Sequence, residues 1–161
     1  MEKFKRPAHL NLVLVAPEIP GNTGSIGRTC IALNARLILI HPLGFDISEK
    51  AVRRAGLDYW KYIDLTEYQS FDEFITTEKP EIENLFLFTK TAGPTYFQAE
   101  FLANSYLIFG SETKGLPHSV LSPYVHRHFS LPMFSDKVRS LNLANAATAA
   151  AYECLRQQQR L

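Results

Sequence analysis

An α/β domain with a mainly parallel sheet flanked by helices is what this sequence predicts, on three observations. Short apolar runs bounded by turn residues recur along the chain, as buried strands do. Stretches with helical spacing lie between them, and such alternation favours parallel pairing. With 161 residues and 46% hydrophobic content, the chain suits one domain spanning residues 1–161, large enough for one continuous core.

Taken in order, the first strand is the apolar run Leu10 to Val15. It is followed by a Pro- and Gly-rich turn and a helix from Ser25 to Asn34. The run Leu37 to Ile40 is the second strand, and helical spacing resumes over Ser48 to Ala55 and Phe71 to Thr77. Leu85 to Phe88, Tyr106 to Phe109 and His128 to Leu131 read as three further strands. The Ala-rich segment Leu141 to Gln158 closes the chain as a long helix. Leu143, Ala147, Ala150, Cys154 and Leu155 make one stripe on it, suited to packing on the sheet. Ala146, Ala149 and Ala151 leave other faces small, which suits either close intramolecular packing or a subunit interface.

Cys30 and Cys154 are far apart, each inside a helical segment, and read as reduced core thiols rather than a disulfide or metal pair. No run approaches the ~18 apolar residues of a membrane span and no signal-peptide pattern is visible, so a soluble intracellular protein is expected. A formal charge of +1 says little about partners. Basic residues do cluster at Lys3, Lys5 and Arg6, at Arg53, Arg54 and Lys61, and at Lys137 and Arg139, where solvated surface is the plain alternative to an RNA contact.

Three segments could carry chemistry. In residues 17–28 a Pro- and Gly-rich turn leads into a helix start, whose free N–H groups could take a phosphate, with Arg28 adding a bidentate fork. An ordinary turn with a surface arginine explains the same residues equally well. A dinucleotide site is disfavoured, because the glycines are spaced G-x-x-G-x-x-G and the second strand ends in His41-Pro42 where a ribose-binding carboxylate is expected. In residues 109–117, Glu112 follows a buried strand, where parallel sheets place ligands, although an N-cap or a solvent-facing acid fits too. This segment lacks the G-K-[ST] order of a P-loop. In residues 131–145, Ser140 could cap the last helix. Asn142 and Asn145 beside Leu131 and Met133 suit a pocket for a neutral heterocycle with polar tails. His126 and His128 would share a strand face but lack a third ligand at metal spacing, and no G-x-S-x-G elbow marks a hydrolase.

In order, NLVLVAPEIPGNTGSIGRTC, HPLGF, RRAGLDYW, FGSETKGLP, and LPM followed by RSLNLANAATAAAYE cover almost the whole chain. They resemble the three ordered motifs of the SPOUT methyltransferases, in the TrmH-like branch, and among its members most closely the minimal ones acting at the tRNA wobble position. The resemblance implies a parallel α/β fold with a C-terminal deep trefoil knot. It implies a cytoplasmic homodimer with active sites at the subunit interface, and no membrane association. The implied cofactor is S-adenosyl-L-methionine, held by Phe88, Thr89, Gly110, Glu112, Leu131, Met133, Ser140 and Leu141, with no metal. The implied catalytic group is Arg28 with Asn22, Glu112, Ser140 and Asn142.

The implied reaction is 2′-O-methylation of the wobble cytidine or uridine of tRNA, in leucine isoacceptors. The alternatives are another tRNA or rRNA site, or a non-catalytic RNA-binding module. A guanidinium is a poor base, so Arg28 is expected to clamp a phosphate and stabilise a developing alkoxide. The departures are Gly21 and Ser111, where prolines are common in the family, and Gly27, where an aliphatic residue is frequent. They bear on substrate preference more than on the reaction.

Overall fold

The computed structural model describes residues 9–50, 57–90 and 92–159. Six strands form one sheet in the order β3-β2-β1-β5-β4-β6: β1 Leu10–Val15, β2 Arg36–Ile40, β3 Asp64–Tyr68, β4 Leu85–Phe88, β5 Ser105–Phe109 and β6 His128–Phe129. Every pairing is parallel, as the alternating pattern implies. Strand β3 has no apolar run to announce it. Its sequence DLTEY lies at a sheet edge and only Tyr68 is buried, so it lacks the two-sided burial that marks β1 and β5. Strand β6 stops at Phe129 rather than Leu131, because Ser130 leaves β4 and bridges Thr95 instead.

Among the described residues, four α-helices accompany the sheet: α1 Pro20–Leu33, α2 Phe71–Glu78, α3 His118–Leu121 and α4 Leu143–Gln159. Helix α1 begins at Pro20, not Ser25. Proline at a first helical position loses no hydrogen bond and brings a preset φ, which starts the helix before its glycines can break it. It ends on Asn34, left-handed at φ 53°, whose N–H bonds the carbonyls of Cys30 and Ile31. Ser70 caps α2 by accepting from the Glu73 N–H at 3.1 Å. Helix α4 is capped by Asn142, whose Oδ1 accepts from the Asn145 N–H at 3.1 Å, so Ser140 is not its cap. The expected helix over Ser48 to Ala55 lies largely outside the described residues, and so do Lys3, Lys5, Arg6, Arg53 and Arg54.

Alternate strand residues feed two cores. Leu12, Leu14, Leu37, Leu39, Phe86 and Leu107 meet Ile26 and Cys30 of α1 and Ala147, Ala150 and Cys154 of α4. Val13, Val15, Ile38, Ile40, Leu87 and Ile108 meet Phe74 of α2 and Val120 of α3. The small side chains of α4 let it lie against α1, where the hydroxyls of Thr29 and Thr148 are 3.0 Å apart. Both cysteines are free and buried, and burial pushes their thiols up to about 12.

One polar cluster ties the second face together. Glu78, at the end of α2, accepts from Arg36 at 2.8 Å, from the Tyr106 hydroxyl at 3.0 Å and from the Tyr68 hydroxyl. Arg36 also donates to buried Asn11 at 2.9 Å. Burial alone would raise the Glu78 carboxyl, but the hydrogen bonds from Arg36, Tyr68 and Tyr106 and the Arg36 charge outweigh it and hold the group below its ordinary value. Burial, with the hydrogen bond to Glu78, pushes Tyr68 up to about 12.

Candidate active site

Loops leaving the carboxyl ends of β4, β5 and β6 converge with the starts of α1 and α4 on a pocket of about 500 Å³. Parallel sheets place ligands at this edge. Phe88 and Thr89 enter the lining from β4, Gly110 and Glu112 from β5, and Leu131, Met133, Ser140 and Leu141 from the segment after β6. Asn22 and Asn142 complete it. All eight residues expected to hold a cofactor therefore share one cavity. Its apolar walls also include Leu116 and Leu121 and its rim carries Lys90 and Lys114, which local patterns did not single out. Leu121 belongs to a four-residue helix too short to show a period, which is why it escaped.

The loop after β5 owes its shape to two glycines. A Cβ on Gly110 would sit 2.0 Å from the carbonyl carbon of Gly115, so the chain doubles back through space only glycine leaves free. Gly115 takes φ +67° to make the reversal, and Ser111 bridges to it. The turn after β4 is closed differently. The Thr89 hydroxyl donates to the Ala92 carbonyl at 2.9 Å and accepts its N–H at 3.0 Å, so the side chain is committed to the turn.

Glu112 is held by this loop against the start of α1. Its Oε2 accepts from the Glu18 N–H at 2.8 Å, and its Oε1 from the Ile19 N–H at 3.1 Å and from Asn22 Nδ2 at 3.3 Å. A carboxylate there satisfies free N–H groups and complements the positive helix end. Asn22 passes the connection on, its Oδ1 accepting from Asn142 Nδ2 at 3.0 Å. Glu112, Asn22 and Asn142 thus form one chain linking the β5 loop, α1 and the α4 cap. Beside it, hydrogen bonds from Thr113 and Ser111 hold the Glu18 carboxyl below its ordinary range.

Arg28 stands apart. It does not line the pocket. It lies in the third turn of α1 rather than the first, ~9 Å along the axis from Asn22, and is exposed. Its guanidinium lies over the Tyr59 ring, 5.7 Å from the centroid, and the Tyr59 hydroxyl donates to the Gly24 carbonyl at 3.1 Å. The glycines of residues 17–28 also have a different use from the one expected. Gly24 and Gly27 face outward from α1 into Leu57, Trp60 and Ile63. A Cβ would come within 2.9 Å of Leu57 at Gly24 and within 2.5 Å of Ile63 at Gly27. They seat the segment that carries Tyr59 rather than cradle an anion.

The histidine pair does not share a strand face. His126 lies in an exposed 3-10 turn before β6, and the His128 ring bonds the Leu121 carbonyl at 2.9 Å. Among the described residues, no group of three or more His, Cys, Asp or Glu is placed to hold a metal ion, and no helix is long and apolar enough to cross a membrane.

Comparison with known proteins places this architecture. A curated relative from Burkholderia cenocepacia, named tRNA (cytidine(34)-2′-O)-methyltransferase, is 41% identical over 148 residues, covering 91% of this chain and 94% of the relative. A solved structure described as giving insight into 2-OH methylation of C/U34 on tRNA matches with TM-score 0.84 at 42% identity, covering 94% of this chain and 97% of that one. The SpoU methyltransferase AviRb from Streptomyces viridochromogenes, solved in complex with the cofactor AdoMet, matches with TM-score 0.76 at 28% identity, over 95% of this chain and 62% of the other. The SpoU rRNA Methylase family model matches residues 9–152, through all six strands and into the last helix, and the chain belongs to that family.

Proposed function

We propose that this protein is an S-adenosylmethionine-dependent tRNA methyltransferase that places a methyl group on the ribose 2′-hydroxyl of the wobble nucleotide, cytidine or uridine, in leucine isoacceptors. The observation that carries this reading is the single pocket at the carboxyl edge of the sheet. It gathers residues from all three motifs, and the Glu112–Asn22–Asn142 chain joins it to the helix bearing Arg28. Likeness over nearly the full length of relatives named for this reaction supports it.

The cavity fits the cofactor on two counts. About 500 Å³ lies within the range of small-molecule sites, and apolar walls with a few polar groups suit an adenine and an amino-acid tail. Phe88, Leu131, Met133 and Leu141 would enclose the heterocycle, with Ser140 and the backbone of Thr89 and Gly110 offering polar contacts. When bound, the cofactor supplies an electrophilic methyl carbon. Glu112 and Asn22 keep the start of α1 against the pocket, and Asn142 keeps the start of α4 there. Arg28 clamps a substrate phosphate and lowers the cost of negative charge developing on the 2′ oxygen.

Because Arg28 does not line the pocket of its own chain, we read the functional unit as a homodimer in which the second subunit completes each site. The small half-exposed faces of α4 at Ala146 and Ala149 suit such packing. The deep trefoil knot after β6 and a cytoplasmic location are part of the same reading, carried by the fold family and by the chemistry of tRNA modification.

Nucleoside mass spectrometry of tRNA from cells lacking the protein, complemented with wild type or Arg28→Ala, tests the proposal. The 2′-O-methylated wobble nucleoside should vanish on deletion, return with wild type and stay absent with the variant. Full restoration by Arg28→Ala would overturn the assignment of the chemistry.

A further inference from the structure

Between the pocket and α4, residues 134–139 make an arch in which all six residues are exposed. Both feet of the arch, Met133 and Ser140, line the pocket, so it stands at the mouth of the cavity. Phe134 is 98% exposed and Val138 57%, a costly display for a segment free to bury them. A contact from the Lys137 N–H to the Ser135 hydroxyl at 3.2 Å braces the arch. Lys137 and Arg139 lie on it, and Lys90 and Lys114 line the same cavity. Among the described residues, none of these four cations makes a salt bridge, although Lys114 lies within electrostatic reach of Glu18 and Asp136 stands beside Lys137 in the arch.

An uncovered aromatic ring flanked by unpaired cations is the chemistry that holds unstacked single-stranded nucleotides: the ring takes the face of a base, the cations take phosphates. We infer that the 134–139 arch is a nucleobase platform, on which Phe134 stacks a base of the anticodon loop next to the reacting nucleotide while Lys137 and Arg139 hold flanking phosphates. This rests on the wobble-nucleotide reading and adds a substrate subsite to it. On the arch itself Lys137 and Arg139 outnumber the one acid, Asp136, and that local excess of positive charge suits RNA phosphates.

Binding of an anticodon stem–loop RNA with a wobble cytidine to the full chain tests the platform, with S-adenosylhomocysteine affinity and oligomeric state measured in parallel. Phe134→Ala should weaken RNA binding roughly 10-fold or more, as loss of one base–aromatic stack does, and leave the other two readouts unchanged. Phe134→Trp should restore binding and add a fluorescence signal, quenched by RNA, above that of Trp60. The Lys137→Ala/Arg139→Ala double variant should lower the salt dependence of binding by about one to one and a half counterions. Wild-type affinity in Phe134→Ala overturns the platform alone. Loss of the oligomer would instead make a second copy the occupant of the ring, and loss of S-adenosylhomocysteine binding would make the arch a cofactor lid; each overturns the inference. If the wild-type protein binds S-adenosylhomocysteine but not the stem–loop, the wobble assignment and the platform fall together.

Discussion

Replacing Glu112 with glutamine should destabilise the protein by about 2 kcal/mol although the shape is unchanged. The carboxylate accepts three hydrogen bonds, two on Oε1 and one on Oε2. A glutamine carbonyl can serve only one of these positions. Turned toward Ile19 and Asn22, it leaves its amide facing the Glu18 N–H, donor against donor. One charge-assisted bond is lost and two are weakened to neutral ones. Bonds to charged groups contribute about 1.5–3 kcal/mol, and the half-exposed position places the loss near the lower end. For a domain of this size, that is a fall in Tm of about 4–8 °C. Thermal unfolding by circular dichroism measures it, with calorimetry of S-adenosylhomocysteine alongside, because slack at the start of α1 should also weaken the pocket. A Glu112→Gln protein melting within about 1 °C of wild type, with unchanged affinity, would refute the idea that this carboxylate pins α1.

Two other perturbations probe separate parts of the molecule. Tyr59→Leu, which removes the ring beneath Arg28, should cut kcat about 2–5-fold, the equivalent of an exposed cation–π contact, with cofactor affinity unchanged. Tyr59→Phe keeps the ring and should retain most of kcat, and equal kcat in wild type and Tyr59→Leu would remove Tyr59 from any positioning role. The Glu78 cluster predicts a pH effect. Its folded carboxyl sits below its ordinary value of about 4.3, so its contribution is fully present above that pH and is lost as pH falls through the lower folded value. In urea titrations, wild type should exceed Glu78→Gln in stability by a constant margin from neutral pH down to about 5, and the margin should shrink below the ordinary carboxylate value of about 4.3 and vanish as pH falls through the lower folded value. A margin that persists at acid pH would assign the effect to shape instead of charge.

Strands β1 and β5 were legible because both faces of each are buried, and a run of apolar side chains follows from that burial. Strand β3 was not, since an edge strand with one buried residue carries a pattern no different from a loop. The glycines of α1 misdirected the reading because local propensity assigns them to turns, whereas contacts with Leu57, Trp60 and Ile63 decide their use. Asn142, and not Ser140, caps α4 because the helix starts at Leu143, the first residue of its apolar stripe, two residues after the expected start at Leu141. In the candidate site, no spacing rule links Glu112 to Glu18 or Asn142 to Asn22. Ordered motifs bring these residues under one heading without showing that they touch. The distance of Arg28 from the pocket lining left no trace in the sequence, since it depends on where α1 begins.

The hydrogen bonds that close the pocket join the two ends of the chain, from Glu18 to Glu112 across 94 positions and from Asn22 to Asn142 across 120. Contacts of such separation charge their loop-closure entropy before any of their stabilisation is realised, and they slow folding accordingly. During synthesis at ~5–20 residues per second, the start of α1 leaves the ribosome ~5–19 s before Glu112, whose carboxylate accepts the N–H groups of Glu18 and Ile19, and ~6–24 s before Asn142. Until Glu112 emerges those N–H groups have only water or a passing chaperone for partners. The binding cavity is therefore completed only late in translation, and a nascent chain halted before Asn142 holds most of the sheet but not the finished pocket.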